Sequence, residues 1–265
     1  MMAFVLALHH IHVIYSPSVQ NSERLLARGK PKEAKAQLDK VQRATRQRPD
    51  SKTLLLRGKV LYAVLLEQMR AERWGSYGVN PDNWLSNPLA AEAEQCFLNA
   101  IALSPNDPEI RQVLGNLYRE QGRFSDAEAA LRSSLELDDS NADAFLGLGL
   151  LYAEGGRPDA ARRALYAAWE LDGGNPKIAK NIAYFHRYYA NAPESSIVWF
   201  SRYFDCGPKR DPDVNLIRGE LNDLLERYPE FEAYRRETAS QTSANRGANR
   251  TFVPRYQSGS GNKKN

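Results

Sequence analysis

The chain has 265 residues, of which 42% are hydrophobic, 10% aromatic and 26% charged, a globular composition that excludes wholesale disorder and a collagen-like repeat, while no internal apolar run approaches the roughly 20 residues of a bilayer crossing. Two cysteines, Cys96 and Cys206, exclude a small disulfide-stapled fold; they read as buried thiols of a reducing compartment, which favours the cytoplasm. The net charge of +4 is local, because residues 239–265 carry five cations and no acid and leave the rest at −1, so the pI near 9.0 is not that of a nucleic-acid-binding body.

Residues 1–18 open with MMAFVLALHHIHVIY. A secretory signal wants a cationic start and a small-residue cleavage site. No Lys or Arg precedes Arg24, and the clean apolar run stops at Leu8. The segment therefore reads as an apolar helix packed on the first repeat, or as a mis-assigned start. His9, His10 and His12 have nothing to orient them, so no metal is assigned to them.

From residue 19 the chain reads as helices in pairs. Leu25, Gly29, Ala34, Leu38 and Val41 form a first, shortened pair. The second opens over 51–70, where LLLRGKVLYAVLLEQMRAE holds no breaker but Gly58. Residues 108–141 laid above 142–175 at an offset of 34 match Leu114 with Leu148, Gly115 with Gly149, Tyr118 with Tyr152, Gly122 with Gly156, Ala127 with Ala161, Leu131 with Leu165 and Leu137 with Leu171. One period upstream, Ala93, Phe97, Ala100 and Leu103 hold the same places. Apolar residues recur at helical spacing within each unit. Gly122 and Gly156 stand where a left-handed C-cap is wanted, and Pro108 and Pro176 stand at the first helical position. Gly115 and Ala127, equidistant from the turn, are expected to face each other across an antiparallel hairpin.

These units resemble the tetratricopeptide repeat family in their period of 34, L-G-x-x-Y in the first helix, G between the helices, and A-x-x-x-[FL]-x-x-[AS] in the second, most strongly over 91–175. The resemblance implies an all-α fold: a right-handed superhelical solenoid of about five antiparallel helix pairs over 19–237. Stacking is required, since one hairpin cannot bury its apolar face alone.

Two regions depart from the repeat. Ala93 follows Gly58 by 35 residues where 12 are expected, which leaves 23 extra residues. An insertion at about 71–88 holds part of them, with Trp74, Tyr77 and Trp84. Long loops in compact domains are often functional; the other reading is that these aromatics bury against the long helix. In the fifth unit His186 replaces the tyrosine, Trp199 continues the apolar positions, and Cys206-Gly207-Pro208 stops the second helix. A capping helix over about 211–227 follows, with Asp211 as N-cap and Pro212 as first residue. Residues 238–265 are a disordered basic tail by composition.

Chemistry needs a constellation, and no G-x-S-x-G, H-E-x-x-H or phosphate-loop motif is present. His186 reads as a satisfied core histidine. No enzyme, cofactor, metal or small-molecule substrate is expected, and neither is a membrane partner.

The resemblance implies instead a peptide-binding groove lined by one stripe of each opening helix. The third unit offers Glu109, Gln112, Asn116, Arg119 and Glu120. The fourth offers Asp143, Leu146, Leu150, Ala153 and Glu154, and the fifth Lys177, Lys180, Tyr184, Arg187 and Tyr188. The fifth set has three cations, two tyrosines and no acid, which suits an anionic segment; a solvated basic face is the plainer alternative. The function expected is a non-catalytic scaffold or adaptor that holds a partner peptide in assembling a larger complex. Two alternatives stand beside it: a repeat module serving a protein- or polysaccharide-modifying enzyme in trans, and nucleic-acid binding through the basic tail and the fifth-unit cations.

Overall fold

A computed structural model describes residues 17–44, 49–72, 87–208 and 211–231. The apolar start with its three histidines, the aromatics Trp74, Tyr77 and Trp84, and the basic tail lie outside them. The described residues form eleven helices and no strand: α1 (Pro17–Ala27), α2 (Pro31–Ala44), α3 (Ser51–Glu72), α4 (Pro88–Leu103), α5 (Pro108–Glu120), α6 (Phe124–Leu137), α7 (Ala142–Glu154), α8 (Pro158–Leu171), α9 (Pro176–Tyr188), α10 (Pro193–Asp205) and α11 (Val214–Arg227). None of them is long and apolar enough to cross a membrane. The chain divides inside α8 into two compact units, Met1–Ala164 and Leu165–Asn265.

The helix ends follow from local chemistry. Asn87, Asp107 and Asn175 each accept a hydrogen bond from the backbone N–H two residues on, at 2.9–3.0 Å, and each precedes a proline whose missing N–H leaves no donor orphaned. At the far end, Gly122 (φ 72) and Gly156 (φ 69) take the left-handed conformation. The turn they make lets the Arg123 N–H reach the Tyr118 carbonyl at 2.9 Å and the Arg157 N–H reach that of Tyr152 at 2.8 Å, which satisfies carbonyls left over at the helix end.

In the first unit the close contact that sets hairpin spacing is not the expected Gly115–Ala127 pair. A Cβ on Gly115 would lie 2.7 Å from Leu131 Cγ and 3.2 Å from the Leu131 backbone N. A Cβ on Gly147, one helix pair later, would lie 2.9 Å from the same side chain. Fully buried Leu131 is thus held between the glycine backbones of α5 and α7. Gly58 of α3 meets Phe97 of α4 in the same way, at 2.3 Å from a Cβ. Gly58 and Phe97 are 39 residues apart and Gly115 and Leu131 only 16. The 23 extra residues therefore leave the helix contact unchanged, and Ala93 is still fully buried.

A polar clamp, repeated once, joins successive hairpins. The Tyr118 hydroxyl donates to Glu94 at 3.2 Å, Arg123 donates to the same carboxylate at 2.9 Å, and its guanidinium lies 4.0 Å over the Tyr118 ring. One period later Tyr152 and Arg157 converge on Glu128 at 3.0 and 2.8 Å, with Arg157 4.2 Å over the Tyr152 ring. The Arg157 hydrogen bond, helped by Tyr152 and Arg132, holds the Glu128 carboxyl below the usual carboxylate range against the burial that would raise it.

The second unit departs from this pattern for a definable reason. Four residues join α9 to α10 where three join α5 to α6, and Asn191 (φ 46) takes the left-handed position of the glycine. The extra residue shifts α10 by one. Ser196, whose hydroxyl donates to the Ala183 carbonyl at 3.0 Å, and fully buried Phe200 fill the small and large places, and Trp199 is turned aside. The Trp199 indole N–H donates to the Tyr166 hydroxyl at 3.2 Å, which stands 3.1 Å from His186 Nε2. Helix α11 begins at Val214 rather than at Pro212: the Asp211 carboxylate accepts from the Asp213 N–H at 2.8 Å, ahead of the helix. Its Ile217, Leu221 and Leu224 are buried, while Asn215, Arg218, Gly219 and Asn222 face solvent.

Two outcomes are expected. Gly115→Ala gains up to about 1 kcal/mol of helix propensity but loses about 1–3 kcal/mol to overpacking, so it lowers the unfolding midpoint. Gly219→Ala, where a Cβ meets nothing within 4 Å, raises it; chemical denaturation reads both signs. Glu128→Gln lowers thermal stability at neutral pH. Since the folded carboxyl titrates below its unfolded value, the stability it adds is present above the usual carboxylate pKa and is lost as pH falls through the folded one. The gap between wild type and Glu128→Gln should therefore close on acidification; a gap independent of pH contradicts the clamp.

Candidate functional site

In the first unit the expected binding stripe falls on α5 and α7. The Asn116 Oδ1 lies over Gly147, 2.6 Å from where a Cβ would stand. Arg119 donates to both Glu120 and Glu154, and its side chain is only 11% exposed. Tyr62 of α3 shares this neighbourhood, and burial followed by the nearby Glu120 charge pushes its pKa up. Lys59 is paired with Glu109 across α3 and α5. Asn116 and Leu150 remain partly accessible. Leu146 does not: at 1% exposure it is a core residue, not a surface contact, because α7 (ADAFLGLGLLYAE) is apolar nearly all round and such a helix buries both faces.

In the second unit the structure brings Lys180, Tyr184, Arg187 and Tyr188 together on one face of α9, with exposed Lys177 one turn before them. Its electrostatics differ from those of a bare cationic stripe. Lys180 Nζ is shared between Asp211 at 2.8 Å and Asp213 at 3.3 Å. Arg187 is shared between Glu220 and Asp223, both at 2.9 Å, and the Tyr188 hydroxyl is 3.3 Å from both Glu220 oxygens. Burial would raise the Asp211 carboxyl, but Lys180 and the Asp213 N–H together hold it below the usual range. Arg187, as a hydrogen-bond donor, lowers Asp223 likewise. Two of the three cations are thus engaged by α11 and the segment leading into it. The tyrosines stack with ring centroids 6.0 Å apart. Tyr184 is anchored edge-on against Phe200 at 5.3 Å, which leaves Tyr188 as the outer ring, 49% exposed.

Burial pushes the thiols of Cys96 and Cys206 up to about 11. Cys96 is buried and Cys206 only partly so.

Two sequence models of the tetratricopeptide repeat match residues 96–129 and 113–176, the span in which the glycine contacts and polar clamps recur. Residues 96–176 are tetratricopeptide repeats. The chain is similar in fold to TTC0263, a tetratricopeptide-repeat protein of Thermus thermophilus, with a TM-score of 0.60 and 17% identity over 78% of this chain and 97% of that one. It is similar also to PilW, a type IV pilus biogenesis factor, with a TM-score of 0.56 and 16% identity over 86% of this chain and 91% of that one. No curated protein matches the sequence.

The pairing of α9 with these acids escaped the sequence reading, although it had a signal. Asp213, Glu220 and Asp223 follow their partners by 33 to 36 residues, about one repeat. The clamp residues were visible as well: Glu94 and Glu128, like Arg123 and Arg157, repeat at 34. Charge reversal of Lys180 and Arg187 to Glu should accordingly destabilise the fold. Breaking a mostly buried pair leaves its partner's charge uncompensated, at a cost on the order of 3 kcal/mol. A change within ~0.5 kcal/mol, as at an ordinary surface site, would mean that these cations do not hold α11.

Proposed function

We propose that this protein is a non-catalytic scaffold that holds a peptide segment of a partner protein on the stripes of its opening helices, in assembling a larger complex. What supports this most is the division of labour on α9. Ile178, Ile182, Ala183 and Phe185 are consumed by packing, while Tyr184 and Tyr188 stand off that seam as a stacked, partly exposed pair. Asn116 and Leu150 hold the corresponding stripe in the first unit. The non-catalytic part draws on groups already occupied: His186 sits against Tyr166, and two thiols raised to about 11 are protonated at neutral pH and poor nucleophiles. The assembly role is the part that draws on a fold neighbour, since PilW is a pilus biogenesis factor. An anionic segment would have to compete with Asp211, Asp213, Glu220 and Asp223 for Lys180 and Arg187, so tyrosine burial is the larger share of this reading.

Affinity capture from the native host, with the wild-type chain beside a Leu150→Asp/Tyr188→Asp variant of equal helicity, tests it. Wild type should capture a partner and the variant should lose it by about tenfold or more, as at an interface hot spot. Equal capture by both places the surface elsewhere, and no capture by wild type counts against the scaffold.

A further inference from the structure

Side chains of α9 reach those of α11 and of the segment leading into it. Lys180 meets Asp213 at a separation of 33 residues, Arg187 meets Glu220 at 33, and Tyr188 meets Glu220 at 32. Leu216 falls three residues after Asp213 and four before Glu220, on the face of α11 that carries these partners. Tyr184 is likewise one turn before Tyr188 on α9. Leu216 is 61% exposed and Tyr188 49%. Ion-pair clusters accompany them: Lys180 with Asp211 and Asp213, and Arg187 with Glu220 and Asp223.

We propose that Tyr184, Tyr188 and Leu216 form a docking platform for an uncharged aliphatic or aromatic anchor of a partner peptide, and that the flanking charges serve the platform rather than the ligand. This rests on the scaffold reading and names the partner chemistry for its second-unit face. The charge balance decides the chemistry. Lys180 and Arg187 each already face two carboxylates of their own chain, so an acidic ligand gains no unshared cation from either and meets four carboxylates on arrival. An apolar side chain meets no such opposition, and it removes from water an exposed leucine and an exposed tyrosine ring. The ring is stiffened by its stack on Tyr184 and by its hydroxyl contact to Glu220, so little side-chain freedom is lost on binding.

The test is selection of a random twelve-residue phage-displayed peptide library on the full chain, followed by binding of the enriched peptides to Leu216→Asn and Tyr188→Ser variants. Peptides enriched in Leu, Phe, Trp or Tyr, with no enrichment of Asp or Glu, are expected. Their affinity should fall about tenfold or more in each variant and change little between low and high salt. Enrichment of acidic peptides, or steep weakening by salt, overturns the proposal in favour of an anionic ligand. If enriched peptides bind both variants like wild type but lose binding in Leu150→Asp, the scaffold reading stands and this platform is wrong. If no peptide is enriched on any face, both fail.

Discussion

Everything in the first unit hangs on one steric fact: Leu131 has no room except between two backbones that lack a Cβ. Gly115 lies on one side of it and Gly147 on the other, so a single side chain fixes both the spacing within its own hairpin and the spacing to the next. Interiors are packed densely enough that a methyl group in such a place must move something. The Gly58–Phe97 contact shows that the constraint belongs to the helix pair and not to the loop. The 23 extra residues lie partly in longer helices and partly in the connection between them; a longer connection costs mainly loop-closure entropy, which grows slowly with length, and the hairpin closes on the same contact.

Non-directional packing tolerates slippage, and the Tyr–Arg–Glu clamps oppose it. Each puts a guanidinium over a tyrosine ring and joins both groups to a carboxylate of the preceding hairpin. A one-residue slip against the preceding hairpin would break both bonds to the carboxylate together. In the second unit the means change. Asn191 stands in place of the glycine, the turn lengthens, and buried Trp199 and His186 are linked through partly buried Tyr166 instead.

How much of this was legible depended on which residues were compared. The period of 34, the turn glycines and the proline-led helix starts all stand in the sequence because only a few residue types satisfy those backbone positions. The register of α10 was not legible: one extra turn residue moves every later place by one, and Trp199 and Phe200 are equally apolar. The expectation that Leu146 lines a groove failed for a related reason, since α7 offers no polar side by which to orient it. The charge of the fifth stripe was misjudged because α9 was weighed alone, whereas a stripe's field is set by the helix stacked beside it. The acids at 211, 213, 220 and 223 turn an apparent anion site into the seat of α11.

That reversal carries the functional proposal, because it moves the proposed recognition surface from the cations to the tyrosines and Leu216. The most direct test needs no partner: a double-mutant cycle by denaturant unfolding with Arg187→Ala, Glu220→Ala and the two combined. Both side chains are 15% exposed, and residues that share a network couple by roughly 0.5–3 kcal/mol. The account predicts a coupling of about 1 kcal/mol or more. Additivity within about 0.3 kcal/mol would show that Arg187 is not committed to α11, and would return it to the role of a ligand-binding cation.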